Sequence, residues 1–464
     1  MDRRTFLKSV ARAAAVAGAA QVLPRAGEAA EPPARLTLVA VGDCILARRI
    51  SEIRDPGFLA VRELLRGADC VWGNCETVFA DPRQVSPAPK GEDPSAICEP
   101  WGVDELRWMG LGLMGTANNH ALDYGTEGML ATLANLDRVG IVHAGSGADL
   151  AQAARPAYFD AAAGRVGLVN CASSYPDFFA AAPAHPWVKG RPGVNPLKVE
   201  SKVELPRTLF DQLRAAEKEL EALWGYGEFA EMLKDAESRQ PKDTALFVDT
   251  VIAPGERVDW RTAGRKEDVR RITEAVGLAR QLASVVVASI HAHEARQKLE
   301  LSDLFLQPFA HACVDAGADL YVSAGPHVLR GIEIYKGKPI FYSLGNFFFQ
   351  YETEPQIPAE AFVNYGLDSR TLDTWQYNQK ITYHKERRFW QSVVPRITYE
   401  GGKAVEVELH PITLGFGEPV YLRGTPRLAV GEEARSILEN LARLSQPYGT
   451  TIAIEDGVGR VKLG

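Results

Sequence analysis

A largely apolar run, LTLVAV at residues 36–41, is followed directly by Gly42-Asp43. Such a run without helical periodicity, bounded by a glycine, predicts a buried strand that ends in a loop. Similar runs predict further strands at Cys70–Trp72, Gly112–Thr116, Val166–Asn170, Val285–Ile290, Leu320–Ser323 and Ile340–Ser343. Helix-like stretches alternate with these strands, at Gly128–Val139, Arg207–Leu223, Glu267–Ala283 and Phe305–Ala316. This alternation predicts an α/β fold.

Polar clusters follow several of the predicted strands. They are Gly42-Asp43, Gly73-Asn74-Cys75-Glu76, Asn118-Asn119-His120 with Asp123, His291-Ala292-His293-Glu294 and Gly325-Pro326-His327. In α/β sheets, loops beyond strand ends converge on a crevice, and carboxylate, amide and imidazole groups are ligands of divalent ions. A single Asp at a strand end is more often a helix cap, and a single His is often a core residue. The recurrence of such clusters favours a site for one or two ions.

Five segments in the same order resemble the motifs of the CapA-type capsule-synthesis family, named for poly-γ-glutamate capsule proteins. They are VAVGDCIL, WGNCE, TANNHALDYG, VVVASIHAHE and GADLYVSAGPHVLRGIEIYKGKPIFYSLGNFFFQ, and they span about residues 36–350. That family is similar in fold to calcineurin-like metallophosphoesterases. The resemblance therefore implies a four-layer α-β-β-α sandwich, here with an inserted helical arm and a C-terminal extension.

The resemblance also implies roles for individual residues. Asp43 would bind one metal ion, and His327 would bind the same ion. Glu76 would be the bridging carboxylate, while Asn119 and His291 would hold the second ion. The metal itself could be Mn, Fe, Zn or Mg, because Asp, Glu, Asn and His ligands discriminate only modestly among them.

His120 resembles the general acid of the family, or the group that steadies the leaving oxygen. Asp123 would orient it through a hydrogen bond, as carboxylates commonly do for functional imidazoles. The alternative for Asp123 is an N-cap of the following helix. The sequence favours neither role of Asp123 over the other.

His291 and His293 share one face of the strand end if the period of two continues, and Glu294 then lies on the opposite face. We therefore expect His291 to be a ligand before His293. His293 is also a candidate for supporting a ligand or binding substrate. Glu294 has the same two candidate roles.

Arg330 is a candidate for binding an anionic group, because its guanidinium matches carboxylate or phosphate geometry. The alternative is a surface ion pair with Glu333. Asn346, in the run PIFYSLGNFFF, is expected to hydrogen-bond the loop that carries His327.

Two positions depart from the implied pattern. Ile45 stands where calcineurin-like enzymes have a histidine, and the CapA-type family shares this departure. Ala324 stands where the resemblance implies a further histidine. The centre would then hold one ion tightly, or two ions with additional water.

The chain divides into three predicted parts. Residues 1–34 resemble a twin-arginine signal, with Arg3-Arg4 before Phe6 and an Ala-rich stretch, so we expect export to the periplasm or cell envelope. Cleavage near Ala29 or Ala30 is one outcome, and an uncleaved anchor is the other. Residues 35–350 form the main domain, with an insertion at about 177–260, and residues 351–464 form an extension packing on it.

The charge and cysteine content of the chain bear on what it binds. The net charge is −7 and no long Lys/Arg block is present, which argues against nucleic-acid binding. Six cysteines without CxxC spacing predict buried or free thiols rather than a metal cage. The membrane would be contacted only through the signal or anchor.

The leading hypothesis is a metal-dependent hydrolase or transferase acting on phosphoester, amide or related bonds of cell-envelope polymers. The alternative is a non-catalytic envelope protein that binds an anionic polymer such as poly-γ-glutamate in a degenerate metal site. A third reading is a structural element of a capsule-export complex. The expected partners are thus an anionic polymer or small-molecule substrate, and envelope-assembly proteins.

Overall fold

The computed structural model describes residues 35–89, 95–224, 243–247, 250–351, 357–381 and 385–463. The predicted signal segment, residues 1–34, lies outside the described residues, as do residues 225–242 and 248–249 of the predicted insertion. The helices are α1 (Pro56–Arg66), α2 (Trp101–Met109), α3 (Gly125–Arg138), α4 (Leu150–Ala154), α5 (Arg207–Trp224), α6 (Lys266–Leu282), α7 (Leu306–Asp315), α8 (Ala359–Asn364), α9 (Thr374–Asn378) and α10 (Gly431–Ser445). Short 3₁₀ helices lie at Asp177–Phe179, Arg387–Trp390 and Gln446–Tyr448.

The strands of the first half are β1 (Leu36–Ile45), β2 (Cys70–Cys75), β3 (Val78–Phe79), β4 (Ile97–Cys98), β5 (Leu113–Gly115), β6 (Val142–Ala144), β7 (Ser146–Gly147), β8 (Ala157–Ala161), β9 (Gly164–Ala172), β10 (Gly193–Val194), β11 (Val199–Pro206), β12 (Ala245–Phe247) and β13 (Thr250–Gly255). Those of the second half are β14 (Asp259–Gly264), β15 (Val285–His291), β16 (Ala295–Arg296), β17 (Lys298–Ser302), β18 (Leu320–Ala324), β19 (Ile332–Tyr335), β20 (Lys338–Phe341), β21 (Asn346–Phe349), β22 (Gln391–Glu400), β23 (Lys403–Thr413), β24 (Arg427–Leu428), β25 (Ile452–Glu455) and β26 (Val458–Val461). The predicted α/β class is confirmed, and each predicted strand and helix overlaps an observed one.

Two large sheets form the body. The first has the order β25-β26-β23-β22-β1-β2-β5-β6, with β21 pairing β1 and β24 pairing β23. The second has the order β19-β20-β18-β15-β9-β8. Inward residues of both sheets, such as Leu38, Trp72, Val287 and Val322, share one buried cluster, so the sheets pack face to face.

Helices cover both outer faces. Phe58 of α1 and Leu106 of α2 pack with Val39 and Val41 of β1 on the outer face of the first sheet. Helices α6 and α7 pack against β15 on the outer face of the second sheet. The layers therefore run helix, sheet, sheet, helix, because each strand buries alternate side chains on its two faces.

The region after residue 350 is part of the first sheet. Strand β22 pairs antiparallel with the first residues of β1, from Leu36↔Tyr399 to Val39↔Arg396. Strand β23, which includes the predicted alternating run 404–409, continues the sheet from β22. This region, predicted to pack on the domain as an extension, thus supplies strands beside β1.

The predicted insertion contains a small sheet of its own. Its strand order is β12-β13-β11-β14, and α5 packs on it through Phe210. The predicted helix at 207–223 is α5, which covers Arg207–Trp224. The sheet extends to Gly264, slightly beyond the predicted boundary of 260.

All six cysteines are buried free thiols, as the sequence predicts. Within the part of the chain that the structure describes, no helix is long and apolar enough to cross a membrane.

Candidate metal centre

The predicted donor residues meet between the two sheets, at or beyond the carboxyl ends of β1, β2, β15 and β18. The sequence predicted that the first strand ends in a loop at Gly42-Asp43, but β1 continues to Ile45, so Asp43 lies within the strand. Two groups have ligand atoms within 4.8 Å of one another: Asp43, Glu76 and His291, and Glu76, His293 and His327. The groups share Glu76. Parallel pairing brings the ends of β1 and β2 together in the first sheet and those of β15 and β18 together in the second, and the two sheets pack face to face.

Strand β1 brings Asp43 to the centre by changing neighbours. Its first half pairs with β22, and from Asp43 onward it pairs with β21 instead. Gly42 is needed at this crossing, because a Cβ there would lie 1.8 Å from the carbonyl oxygen of Gly345. The Asp43 N–H donates to that same oxygen at 3.0 Å, which fixes the position of the carboxylate.

The Asp43 carboxylate is fully buried. It accepts hydrogen bonds from Asn74 Nδ2 at 2.8 Å and from the Gly325 N–H at 3.2 Å, and it lies 3.3 Å from His327 Nδ1. Burial by itself would raise the pKa of Asp43, but the hydrogen bond and charge of His327 outweigh it, so the pKa is lowered. Asp43 is therefore held as a carboxylate, the form that binds a metal ion.

Asn74 joins the two carboxylates, a role that the sequence analysis did not assign. Its Nδ2 lies 2.8 Å from Asp43, 3.2 Å from Glu76 and 3.2 Å from Nδ1 of His291. The signal was available, because Asn74 precedes Glu76 by two residues and so shares the inward face of β2. An amide donor here reduces the repulsion between two carboxylates that a metal ion would otherwise have to offset alone.

Glu76 lies at the middle of three imidazoles. Its Oε1 is 3.7 Å from His291 Nε2, 3.8 Å from His327 Nε2 and 4.0 Å from His120 Nε2. These distances are too long for hydrogen bonds. Ligands bound at about 2.0–2.2 Å from a common ion are separated by roughly 3–4 Å, so the spacing fits a shared ion.

Asn119 carries a buried Oδ1 without a hydrogen-bond partner in the described residues. Its neighbour Asn118 is different, because it donates to the Cys75 carbonyl at 2.7 Å and accepts from the His120 N–H at 3.0 Å. An unsatisfied buried amide oxygen is costly unless an ion or water binds it. The donor set therefore fits the divalent ion that the sequence implies, and Asn119 stays a predicted ligand.

His120 contacts Asp123 as expected. Nδ1 of His120 lies 2.7 Å from Asp123 Oδ2, which also accepts the Ala96 N–H at 2.6 Å. The alternative cap role is not what the structure shows, since α3 begins after Tyr124 without a side-chain cap. Because Nδ1 donates to a carboxylate, Nε2 of the neutral ring is the atom left to exchange a proton.

His327 is held in an uncommon backbone conformation with φ of +58°. Its Nδ1 lies 2.9 Å from Asn346 Oδ1, and Asn346 Nδ2 donates to the His327 carbonyl at 3.3 Å. The predicted contact between Asn346 and this loop is confirmed. An Nδ1–H donated to Asn346 leaves Nε2 available to an ion.

His291 and His293 are close neighbours. Their Nε2 atoms are 2.9 Å apart, and burial lowers the pKa of His291 to about 3. The pKa of His293 is lowered well below its usual value, by burial first and then by the charge of His291. Both rings are thus neutral near pH 7, as metal ligands must be.

Glu294 turns toward the loop after β9. Its Oε2 accepts hydrogen bonds from Ser173 Oγ at 2.9 Å and Ser174 Oγ at 2.7 Å. Ser174 Oγ in turn accepts the His293 N–H at 2.7 Å. Glu294 therefore supports the segment that carries His293, and its role toward substrate stays a prediction.

Arg330 is fully buried, which corrects the surface ion pair that the sequence left open. Its guanidinium donates to the carbonyls of Leu299 at 2.8 Å, His293 at 3.3 Å and Glu294 at 2.9 Å. Glu333 instead accepts from the Tyr342 hydroxyl at 2.5 Å and lies 2.9 Å from Nε2 of His311. Arg330 thus fixes the main chain at His293 and Glu294, and its role toward a substrate anion stays a prediction.

The two departures from the implied pattern have different surroundings. Ile45 packs in the apolar cluster that also contains Phe58 and Leu106. Ala324 pairs with His291 in register across β15 and β18, so its methyl group lies on the same face as that imidazole.

The family model for bacterial capsule synthesis protein PGA_cap matches residues 37–351. The chain belongs to this family. An uncharacterized protein y4sH from Sinorhizobium fredii (strain NBRC 101917 / NGR234) is 37% identical over 442 residues, covering 92% of this chain and 93% of the relative. The PGA biosynthesis protein CapA of Bacillus subtilis (strain 168) is 25% identical over 315 residues, covering 67% of this chain and 62% of the relative. The chain is thus similar to proteins named for capsule synthesis and PGA biosynthesis.

One solved structure, of a hypothetical protein from Thermus thermophilus, covers 81% of this chain and 98% of that chain at 12% identity and a TM-score of 0.37. A likeness at that level carries no argument about this PGA_cap protein. The metal-ligand chemistry therefore rests on the donors themselves, of which Asp43, Glu76, His291, His293 and His327 could hold an ion.

Proposed function

We propose that this PGA_cap protein is a metal-dependent hydrolase or transferase that acts on an anionic cell-envelope polymer. The observation that carries the proposal is the arrangement of two donor groups around the shared carboxylate of Glu76. When bound, divalent ions would stabilise negative charge on substrate oxygens. The layer order and the donors at strand ends support a relation to calcineurin-like metallophosphoesterases.

Different residues would bind the metal ions, orient the ligands and exchange the proton. Asp43, Glu76, Asn119, His291 and His327 would hold ions, and Asn74 would orient both carboxylates. His120 would exchange a proton with the leaving group through Nε2, while Asp123 stabilises the protonated ring by accepting from Nδ1. The buried position of His120 excludes bulk water from that step.

Turnover by the full chain tests the proposal. The protein would be loaded with Mn²⁺ or Zn²⁺ and assayed on phosphoester and γ-glutamyl substrates, with His120→Ala beside His410→Ala, a histidine on β23 outside the centre. We expect His120→Ala to lose about 10²–10⁴-fold in kcat with metal content unchanged, and His410→Ala to match the wild type. Equal turnover by His120→Ala and wild type, or no turnover of any substrate, would contradict the proposed enzymatic activity.

A second candidate is favoured by Ala324, which leaves the end of β18 without a donor side chain. In that case the same crevice binds an anionic polymer without turnover. Poly-γ-glutamate binding measured by titration would then be the same in His120→Ala and wild type, in protein that shows no hydrolysis.

Export is part of the proposal and is supported by the Arg3-Arg4 sequence. Conservative Arg3→Lys and Arg4→Lys changes together should block translocation while leaving the mature residues unaltered. Fractionation of cells would measure this, and unchanged export of the double variant would count against a twin-arginine signal.

A further inference from the structure

The end of β18 lies beside the centre, but Ala324 and Gly325 offer it no donor side chain. Ala324 offers only a methyl group next to His291. Gly325 follows with φ of +115°, and a Cβ there would lie 3.1 Å from Nε2 of His291 and 3.1 Å from Cδ2 of His293. The rings of His291 and His293 therefore occupy the space into which a side chain at Gly325 would project.

His293 points into the same centre as the ligands proposed above. Its Nε2 lies 2.9 Å from Nε2 of His291, and its ring meets the ring of His327 edge-on at a centroid distance of 5.4 Å. Without an ion, one of the two Nε2 atoms must donate its proton to the other. With ions present, each ring falls in a different donor group, and only Glu76 belongs to both.

The main chain around His293 is fixed on both sides. The His293 N–H donates to Ser174 Oγ at 2.7 Å, and the buried Arg330 donates to the carbonyls of His293 and Glu294. Ser173 and Ser174 also hold the Glu294 carboxylate. Supporting hydrogen bonds of this kind orient ligand imidazoles in metal sites.

We propose that His293 is a metal ligand, and that it supplies from the end of β15 the imidazole that the end of β18 lacks. Together with Glu76 and His327 it holds one divalent ion, while Asp43, Glu76 and His291, with Asn119, hold the other. This grouping differs from the one that the family resemblance implies, in which His327 shares an ion with Asp43. This inference rests on the proposed metal centre, and it predicts that the centre binds two ions despite Ala324.

Metal stoichiometry tests the assignment in the full chain. Mn²⁺ and Zn²⁺ binding would be measured by calorimetry and elemental analysis for wild type, His293→Ala, His293→Gln and His143→Ala. His143 is the matched control, because it is also half-buried but lies on β6 against Asp137. Unfolding of the metal-free proteins would be measured in parallel.

We expect two equivalents in wild type and His143→Ala, and one equivalent, or a second Kd raised at least about 10-fold, in both His293 variants. Two equivalents with unchanged Kd in a folded His293 variant would overturn this inference and leave the proposed function intact. No binding by the wild type would overturn both.

A spectroscopic variant asks directly whether residue 293 touches the ion. His293→Cys with Co²⁺ should develop a thiolate-to-cobalt charge-transfer band in the near ultraviolet, because cysteine thiolate is a good ligand of such ions. Wild type is the control, since its six cysteines are buried free thiols. Absence of the band in folded, cobalt-loaded His293→Cys would contradict the assignment.

Discussion

The two ends of strand β18 bury carboxylates in opposite ways. Before the strand, Asp319 is 2% exposed, forms ion pairs with Arg280 and Lys338, and accepts the Val286 N–H at 2.9 Å. Beyond its other end, Asp43 is equally buried, but its partners are an amide, a main-chain N–H and the imidazole of His327. Permanent cations complete the first cluster, whereas the second consists of groups that a metal ion can join.

The largest expected effect is on the free energy of unfolding, through the Asp319 cluster before β18. Asp319→Asn leaves two cations beside a buried neutral amide, so we expect a loss of about 3–5 kcal/mol in the free energy of unfolding. Urea unfolding of metal-free protein measures it. Asp43→Asn should lower the free energy of unfolding by less than about 2 kcal/mol. The amide keeps an acceptor oxygen, and the change leaves no Arg or Lys without its partner. Equal losses would show that the two clusters do not differ in this way.

Added metal should stabilise the protein only through the cluster around Asp43. At a free Mn²⁺ concentration 100 times Kd, binding to the native state raises the free energy of unfolding by about 2.7 kcal/mol for each ion bound. We expect this gain in wild type and Asp319→Asn but not in Asp43→Asn. The same urea titration with and without Mn²⁺ measures the gain, and its presence in Asp43→Asn would place the ion elsewhere.

Asn346 should matter through the ligand it orients. Asn346→Ala removes the acceptor 2.9 Å from Nδ1 of His327, so metal affinity should fall about 10–100-fold, or about 1.4–2.7 kcal/mol. Asn135→Ala is the control, since that asparagine of α3 donates to the Phe79 carbonyl, outside the centre. Calorimetric titration with Mn²⁺ compares them, and identical Kd values would refute the orienting role.

Acid should destabilise the metal-free centre gradually. The pKa of His291 is about 3 in the folded chain, below the unfolded value of about 6.5, so the unfolded state binds more protons as the pH falls. The free energy of unfolding should therefore fall below about pH 6.5, by at most about 1.4 kcal/mol per pH unit for each such histidine. His293 contributes in the same direction.

Urea unfolding at successive pH values measures this dependence. His291→Asn should flatten the slope by about one proton, because the group whose pKa differs between the two states is removed. An unchanged slope in that variant would show that His291 is not the group that titrates.

Much of the centre could be predicted because its residues sit at strand ends. Apolar runs such as 36–41 and 285–290 identify buried strands, and the polar residues after them must lie at one edge if the strands are parallel. That rule accounts for Asp43 with Glu76 in the first sheet and for His291 with His327 in the second, and the packing of the two sheets brings the pairs together. The burial of Arg330 was not predicted, because burial of a charged side chain depends on the carbonyls that surround it.

The sequence predicted the α/β class, the PGA_cap-type motifs and most of the residues that meet at the candidate centre, because these depend on local periodicity and on residue chemistry. Tertiary structure was needed for what depends on distance between segments. It showed that Asn74 joins both carboxylates, that Arg330 supports the main chain at 293–294, and that the ring of His293 lies close to Gly325. Except for that between Asn74 and Glu76, those contacts join residues far apart in the chain, and their geometry depends on which strands pair within each sheet.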